Sequence, residues 1–360
     1  MKQTAFTAKL MQWDREKNVR AMPWKNEKDP YKVWISEVIL QQTRVEQGWN
    51  YYNRFIAEYP TVQKLATAAD ESVFKLWEGL GYYSRCRNLL YSARYISEQL
   101  DGKFPETYHD ILQLKGIGDY TAAAIASFCF NHPHAVVDGN VLRVLSRIFG
   151  IKTPVDTSEG KKYFRKLADE VLDKTNPGRF NQAIMDFGAT ICKPAPDCNS
   201  CDLKTICRAF ERAEVNALPV KEKKIMRKSR WFTYFILESG NRYFVRKREG
   251  KDIWQGLFEF YLNETISDPG WNSGSIALHL QTVWQIPSES LQVNSIRRAK
   301  RQTLTHQHIE GYFIHINLPA DTRMPELVKG TWVEREKIGT MAFPGFINQF
   351  LKQLQQSAAF

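Results

Sequence analysis

The feature that most constrains this fold is a pair of glycines, Gly116 and Gly118, between the apolar residue Leu114 and a helix-forming run that begins near Tyr120. Glycine adopts positive φ without steric cost and allows close approach of a backbone or ligand. The spacing predicts a tight hairpin whose amides point outward at a helix N-terminus. Such a turn suits a phosphate. The alternative is a plain helix–turn–helix corner.

Two acidic residues stand in contrasting contexts. Asp138 precedes Gly139 and Asn140 and is predicted to cap a helix that reaches Phe149. The helix dipole and amide hydrogen bonds would keep this carboxylate ionised. Glu37 lies within an apolar helical run, where burial would raise its pKa. A protonated acid and an anion together suit cleavage of a glycosidic bond. The simpler alternatives are that Asp138 is only a helix cap and that Glu37 faces solvent.

Four of the six cysteines form one short cluster with the spacing Cys-x5-Cys-x2-Cys-x5-Cys, which predicts a metal site in an intracellular chain. These four are Cys192, Cys198, Cys201 and Cys207. Four thiolates bind either zinc or a [4Fe-4S] cluster. Only the middle pair is close in sequence, which favours iron–sulfur over zinc. The remaining cysteines, Cys86 and Cys129, are expected to be buried small hydrophobic residues.

Length and charge set the broad class of protein. A chain of 360 residues predicts two or three domains, and its formal charge of +11 suits a polyanionic partner. No signal-peptide pattern and no apolar run of about 18 residues is present, so we expect a cytoplasmic protein without a membrane span.

The chain changes character after its first 213 residues. Up to that point the spacing of apolar residues is helical, with a helix start at Asp29-Pro30. Residues 214–230 are rich in lysine and arginine and predict an exposed basic linker. Residues 231–360 predict an α+β domain. Its expected strands are Trp231–Leu237, Tyr243–Arg248, His308–Leu318 and Lys329–Glu334, the first two forming a hairpin.

With these residues established, the chain resembles the MutY family, the adenine DNA glycosylases of the helix–hairpin–helix superfamily. The matching runs are Pro23-Trp24, Asp29–Thr43, Gly79–Arg85, Leu114–Ala122, Val137–Val141 and the cysteine loop. The resemblance implies a multi-domain fold: an all-α helix–hairpin–helix glycosylase domain with an iron–sulfur cluster loop, and an α+β Nudix-like C-terminal domain. Residues 1–213 would form the catalytic region. Its six-helix module would span about 29–133, and its cluster module would combine 1–28 with 134–213.

The resemblance also implies an activity. Members of this family excise adenine mispaired with 8-oxoguanine or guanine by flipping the adenine out of the duplex. Glu37 would protonate adenine N7, and Asp138 would stabilise the oxocarbenium ion. Tyr120 and Asn140 would support these two residues. We therefore expect a monofunctional glycosylase of base excision repair that acts as a monomer on double-stranded DNA.

Further residues acquire DNA-binding roles from the same resemblance. Gln42 and Tyr82 would wedge into the base stack, and Thr43 would contact 8-oxoguanine. Gln182 would help hold the flipped adenine. Gly116 and Gly118 would hold the strand beside the extruded base. Thr305 and His306 would belong to the loop that recognises 8-oxoguanine.

Several positions depart from related patterns. The endonuclease III family has a Schiff-base lysine where this chain has Tyr120, so efficient strand cleavage is not expected. Trp254–Phe260 matches the Nudix-like domain, but the acidic box of Nudix hydrolases is missing, which predicts no pyrophosphatase activity. Leu304-Thr305-His306 replaces Phe-Ser-His. The first cysteine spacing is five residues instead of six.

The competing hypotheses are a pyrimidine-damage glycosylase with lyase activity and a non-catalytic DNA-binding or iron–sulfur sensor protein.

Overall fold

The computed structural model describes residues 2–223, 226–286, 291–320, 322, 324–325 and 328–357. It divides into two compact units. One comprises Met1–Ala68 and Arg87–Lys223, and the other comprises Ala69–Cys86 and Lys224–Phe360. The short segment Ala69–Cys86 therefore groups with the C-terminal region, although no sequence pattern predicts this. None of the described helices is long and apolar enough to span a membrane.

The described part of the chain before residue 214 is helical. Its α-helices are α1 Lys2–Lys17, α2 Pro30–Leu40, α3 Val45–Glu58, α4 Val62–Ala66, α5 Asp70–Trp77, α6 Tyr83–Gln99, α7 Tyr108–Leu112, α8 Asp119–Phe130, α9 Gly139–Phe149, α10 Ser158–Val171, α11 Pro177–Thr190 and α12 Arg208–Glu211. Short 3-10 helices occur at Lys204–Ile206 and Val215–Ala217. Local signals explain the start of α2, since Asp29 accepts a hydrogen bond from the Tyr31 amide at 2.9 Å and proline occupies the first turn.

Helix α8 lies at the centre of the first unit. It packs against α2, α7 and α11, and Ala122, Ala123, Ala124 and Ala126 along it are fully buried. These small side chains let the neighbouring helices approach closely. Gly116, in the hairpin before α8, has φ of +84°, and a Cβ there would lie 2.5 Å from Asn88 Cβ. The predicted helix–hairpin–helix geometry is confirmed, and glycine is needed at this position for both backbone conformation and space.

The second unit contains a mixed β-sheet. Its strands are β1 Lys228–Ser239, β2 Arg242–Lys247, β3 Phe258–Glu259, β4 Tyr261–Thr265, β5 Gln292–Arg298, β6 Gln302–Thr303, β7 Gln307–Leu318 and β8 Thr331–Glu334. Strand β1 pairs in parallel with the whole length of β7 and antiparallel with β2 and β4. Strands β5 and β6 pair with β7, whereas β3 and β8 pair with β2.

Helices cover the sheet and explain the apolar run in β1. The helices are α13 Ser273–Trp284, α14 Arg335–Ile338 and α15 Gly345–Ser357. Phe235 and Leu237 of β1 share a core with residues of α13, whereas Tyr234 packs its ring near Phe346 of α15. Because β1 is central and both of its faces are covered, it is nearly continuously hydrophobic.

The predicted fold class, a helical domain followed by an α+β domain, is confirmed, as are the β1–β2 hairpin and strand β7. The first half of the expected exposed linker differs. Leu218 is buried, Val220 accepts a hydrogen bond from the Val155 amide, and the amides of Glu222 and Lys223 donate to Asp156. This segment is therefore fixed to the first unit by its backbone. Lys224 and Ile225 of the expected linker lie outside the described residues.

Candidate active site

The carboxyl group of Glu37 is buried in the first unit. Helix α2 buries eight residues from Tyr31 to Ile39, and Glu37 is 6% exposed. Its Oε2 atom has no hydrogen-bond partner among the described residues. Burial raises the pKa of Glu37 to about 7; a hydrogen-bonding interaction with Tyr120 opposes this shift, and the nearby charge of Asp138 adds to it. The predicted rise is confirmed, and it poises the group to exchange a proton near neutral pH.

Tyr120 lies in the first turn of α8. Burial is the main reason that the pKa of its phenol is raised well above its ordinary value, and the charges of Glu37 and Asp138 act in the same direction. The hydroxyl lies 3.6 Å from the Met185 sulfur. The phenol therefore stays neutral and is placed to interact with the Glu37 carboxyl.

Asp138 is the N-cap of α9, as its sequence context predicts. Its Oδ1 accepts a 2.7 Å hydrogen bond from the Val141 amide, and its Oδ2 accepts a 2.8 Å bond from Asn140 Nδ2. That these bonds keep the carboxylate ionised stays a prediction. Burial raises the pKa of Asp138, and the bonds from Val141 and Asn140 only oppose that rise. The cap is set by local sequence, whereas the burial comes from the tertiary structure.

Arg143, which was not predicted from the sequence, connects the cap of α9 to the cysteine loop. Its Nη2 donates to Asn140 Oδ1 at 2.8 Å, and its Nε donates to the Cys192 carbonyl at 2.8 Å. Arg147, one turn later, donates to the carbonyl groups of Lys193 and Pro194 at 2.6 and 3.0 Å. Two arginines four residues apart share one face of a helix, and this spacing was the available signal.

A cavity of about 400 Å³ adjoins Glu37. Ser36, Trp24 and Gln182 also line it. The Gln182 side-chain nitrogen donates to Asp186 at 2.9 Å, which orients the amide and leaves its oxygen available as an acceptor. The cavity is polar and large enough for a small planar molecule.

Asp186 organises the wall of this cavity and was also not predicted from the sequence. Its carboxylate is fully buried and forms ion pairs with Arg20 at 2.9 Å and Lys25 at 3.1 Å. Asn18 donates to it at 3.0 Å. A buried carboxylate with this many donors holds its partners in fixed positions.

Gln42 and Tyr82, the predicted wedge residues, share an unusual backbone conformation. Gln42 has φ of +58° after the end of α2, and Tyr82 has φ of +47° between Gly81 and α6. Both side chains are exposed, Tyr82 by 43%. Positive φ is uncommon outside glycine and is often found at functional sites. Thr43 follows Gln42, and its hydroxyl is buried without a hydrogen-bond partner among the described residues.

Thr305 and His306 lie in the turn between β6 and β7. The Leu304 amide donates to the Gln307 carbonyl at 2.8 Å and closes this turn. The hydroxyl groups of Thr305 and Tyr82 are 2.5 Å apart within the second unit. His306 is exposed at the tip. The structure thus joins two residues that the sequence placed in separate motifs.

The four clustered cysteines line one cavity of about 20 Å³. Burial raises the pKa of Cys198, Cys201 and Cys207, and the neighbouring thiols act in the same direction. Within the described part of the chain, no three metal-binding side chains are arranged as a metal site. Four thiols on one cavity are nevertheless a donor set that fits a four-thiolate centre.

The two remaining cysteines differ in their surroundings. Cys86 is fully buried as expected, whereas Cys129 is only partly buried at the end of α8. Burial raises the pKa of Cys129 to about 12, so its thiol stays protonated.

Comparisons with known proteins agree with the division of the chain into a helical part and an α+β part. Residues 35–171 match the HhH-GPD superfamily of base excision DNA repair proteins, and residues 233–353 match the NUDIX domain. An adenine DNA glycosylase of Buchnera aphidicola subsp. Baizongia pistaciae is 37% identical over 263 residues, which cover 71% of this chain and 73% of that protein. The Mus musculus adenine DNA glycosylase is 44% identical over 230 residues, covering 60% and 44% of the two chains.

Solved structures resemble the helical part. A thermostable thymine-DNA glycosylase superposes with a TM-score of 0.55 and 28% identity, covering 59% of this chain and 97% of its own. Endonuclease III in a trapped covalent complex with DNA gives a TM-score of 0.50 at 21% identity, covering 59% and 98%, and supports the fold alone.

The buried Glu37 carboxyl predicts a pH-dependent stability. Its pKa is about 7 in the folded protein against an ordinary value of 4.5. Between these pH values the folded state binds more protons than the unfolded state, so stability falls as pH rises from about 4.5 to about 7. Glu37→Gln removes this titration and should be more stable than wild type above pH 7, by on the order of 3 kcal/mol.

Chemical denaturation of both proteins across this pH range measures the difference. Glu98→Gln, on an exposed position of α6, is the matched control and should follow wild type. A constant difference between Glu37→Gln and wild type at every pH would contradict the raised pKa.

Proposed function

The chain belongs to the adenine DNA glycosylase family, also called MutY, and from this membership we propose that it removes adenine mispaired with 8-oxoguanine or guanine. It is an adenine DNA glycosylase of base excision repair that hydrolyses N-glycosyl bonds. The observation that carries the proposal is the buried Glu37 carboxyl, which lies beside Asp138 and lines a polar cavity. We expect the enzyme to act as a monomer in the bacterial cytoplasm, bound to DNA.

The proposed chemistry divides the work between the two carboxyl groups. Protonated Glu37 donates its proton to adenine N7, so the base leaves as neutral adenine with the electron pair of the C1′–N9 bond. Asp138, as the anion, stabilises the positive charge that develops at C1′. Water then adds to C1′ and gives a proton to the Glu37 carboxylate, which leaves an abasic sugar and restores the acid. Tyr120 orients the acid, and Asn140 holds the Asp138 carboxylate through their 2.8 Å hydrogen bond.

The cavity beside Glu37 would receive the flipped adenine. The Gln182 oxygen, left free to accept by the bond from its nitrogen to Asp186, suits the exocyclic amino group of adenine. Extrusion of a base costs a few kcal/mol, and wedging side chains offset part of this cost. The exposed side chains and fixed positive-φ backbone of Gln42 and Tyr82 support that wedging role.

Recognition of the opposite base would involve two segments that are distant in the sequence. We propose that Thr43 and the Thr305–His306 turn contact 8-oxoguanine. The hydroxyl of Thr305 and the imidazole of His306 supply donors and acceptors for the oxidised edge of the base. The bond between Thr305 and Tyr82 supports the proposal, because it links the turn to a predicted wedge residue.

The same geometry favours a monofunctional enzyme over a lyase. Strand cleavage through a Schiff base requires an amine at the sugar carbon, and the residue in the hairpin helix beside both carboxyl groups is Tyr120. A phenol cannot form that intermediate.

We propose that the four clustered cysteines hold a [4Fe-4S] cluster, with zinc as the alternative occupant. Such a centre would tie the loop after α11 to α12. Arg143 and Arg147, which bond the loop carbonyl groups, would then transmit its rigidity to α9.

The proposed activity predicts release of free adenine from duplexes that contain adenine opposite 8-oxoguanine or guanine, with little release opposite cytosine or thymine. Glu37→Gln should bind the 8-oxoguanine duplex but excise adenine at least about a hundredfold more slowly, because the general acid is lost. Chromatography of the released base under single-turnover conditions measures both effects. No release from the 8-oxoguanine duplex by wild type would refute the proposal, and strong strand nicking without alkali would indicate a lyase.

The two hairpin glycines provide a matched pair of variants. Gly118 has ordinary negative φ and open space where a methyl group would lie, so Gly118→Ala should fold normally but weaken DNA binding by placing that methyl in the phosphate cradle. Gly116→Ala meets Asn88 and requires positive φ, so it should lose about 1–3 kcal/mol of stability as well. Thermal unfolding and titration with an undamaged duplex test both variants. Unchanged DNA affinity of Gly118→Ala would argue against phosphate binding at the hairpin.

The cluster proposal predicts that Cys198→Ser loses iron and acid-labile sulfide and is less stable than wild type. Cys129→Ser, outside the cysteine loop, is the control and should retain both elements. Elemental analysis of protein purified without oxygen distinguishes the metals. Zinc in stoichiometric amount, without sulfide, would overturn the iron–sulfur assignment.

A further inference from the structure

A positively charged surface surrounds the turn between β6 and β7. We define this cationic face by Arg227, Lys228, Lys300 and Arg301, all of them exposed. The Lys228 amide donates to the His306 carbonyl at 3.0 Å, which fixes the start of β1 beside the turn. On the other side, Lys300 and Arg301 directly precede β6, whose two residues lead into the turn.

Two of these cations lie near His308 of β7. Ser229 pairs with His308 across β1 and β7, and Thr303 pairs with His308 across β6 and β7. Arg227 and Arg301 directly precede β1 and β6, two positions before Ser229 and Thr303. Both arginines lie close enough to His308 to lower the pKa of its imidazole, after the effect of burial.

Few acidic groups neutralise this surface. Arg301 has one ion-pair partner, Glu310 at 3.7 Å. The other three cations form no ion pair with residues that the structure describes. Arg298, close by on β5, differs because it pairs with Asp268 at 3.5 Å and lies over the Trp231 ring at 5.3 Å. Arg227, Lys228 and Lys300 thus keep their charge available for a ligand, whereas Arg298 does not.

We propose that the cationic face binds the phosphate backbone of the strand that carries 8-oxoguanine. This inference rests on the proposed function, since it takes the Thr305–His306 turn to contact the lesion. A base that enters the turn brings its flanking phosphates within a few ångströms, and exposed lysine and arginine side chains are their usual partners. The turn would identify the base, and the cations on each side would hold the strand regardless of its sequence.

These two roles make different demands on binding. Phosphate contacts release counterions, so each one contributes about 0.9 to the slope of log affinity against log salt concentration and acts equally on all duplexes. Contacts to the lesion alter the preference for 8-oxoguanine over guanine and leave that slope unchanged.

The test uses the full-length protein and the double variant Arg227→Ala/Lys300→Ala, which removes one unpaired cation on each side of the turn. Its affinity should fall by the same factor for 8-oxoguanine–adenine, guanine–adenine and undamaged duplexes, and its salt slope should decrease by about two. The single-turnover excision rate at saturating protein should match wild type. Arg227→Lys/Lys300→Arg should keep most of the wild-type slope, because it keeps both charges.

Arg298→Ala is the matched control, since it removes an exposed arginine of the same region whose charge is already paired. It should leave the salt slope unchanged. A wild-type slope in the Arg227→Ala/Lys300→Ala variant, or a loss of affinity confined to 8-oxoguanine duplexes, would overturn the proposal. Failure of the proposed function is separate, because it would show as absent adenine release by wild type whatever the slope.

Discussion

The burial of the Glu37 carboxyl next to Asp138 is the constraint on which the rest of the helical unit depends. A carboxyl group without a full set of hydrogen-bond partners is costly to bury as an anion, so the proton is held until about pH 7. Two neighbouring carboxyl groups resist simultaneous ionisation. Asp138 has the Val141 amide and the Asn140 side chain to stabilise its charge, whereas Glu37 has an oxygen without a partner among the described residues. The difference in hydrogen bonding thus assigns the proton to Glu37.

A continuous series of hydrogen bonds connects Asp138 of this pair to the cysteine loop. Asn140 bonds Asp138, Arg143 bonds Asn140, and the Cys192 carbonyl accepts from Arg143. A displacement of the cysteine loop would therefore reach Asp138 through two side chains.

The second unit is arranged on a different principle. Its central strand is buried on both sides, and the Thr305–His306 turn directly precedes β7, which pairs with β1 and β6. Rigid packing fixes the acid, while strand pairing fixes the turn.

Features encoded by a few adjacent residues could be predicted from the sequence. The cap at Asp29, the cap at Asp138 and the hairpin at Gly116 each depend on local backbone chemistry, and each is present. Features that depend on distant packing could not. The hydrogen bonds at Asp138 follow from local sequence, but the burial that raises its pKa against them does not. The Asp186 network brings together residues more than 160 positions apart, and a single acid in an apolar helix does not reveal its partners. The parallel pairing of β1 with β7 was missed for the same reason.

Position 120 shows how one side chain restricts the chemistry available to the whole site. The neutral phenol there opposes the effect of burial, and the pKa of Glu37 is about 7. An ammonium group at the same place would lie next to both carboxyl groups and stabilise their anions, which would lower the pKa of Glu37 well below neutrality. Glu37 would then carry no proton to give at physiological pH. A Schiff-base lysine and a glutamate that acts as general acid therefore compete at this position on electrostatic grounds. Tyr120 preserves the acid, and the same residue is the reason that we predict no strand cleavage.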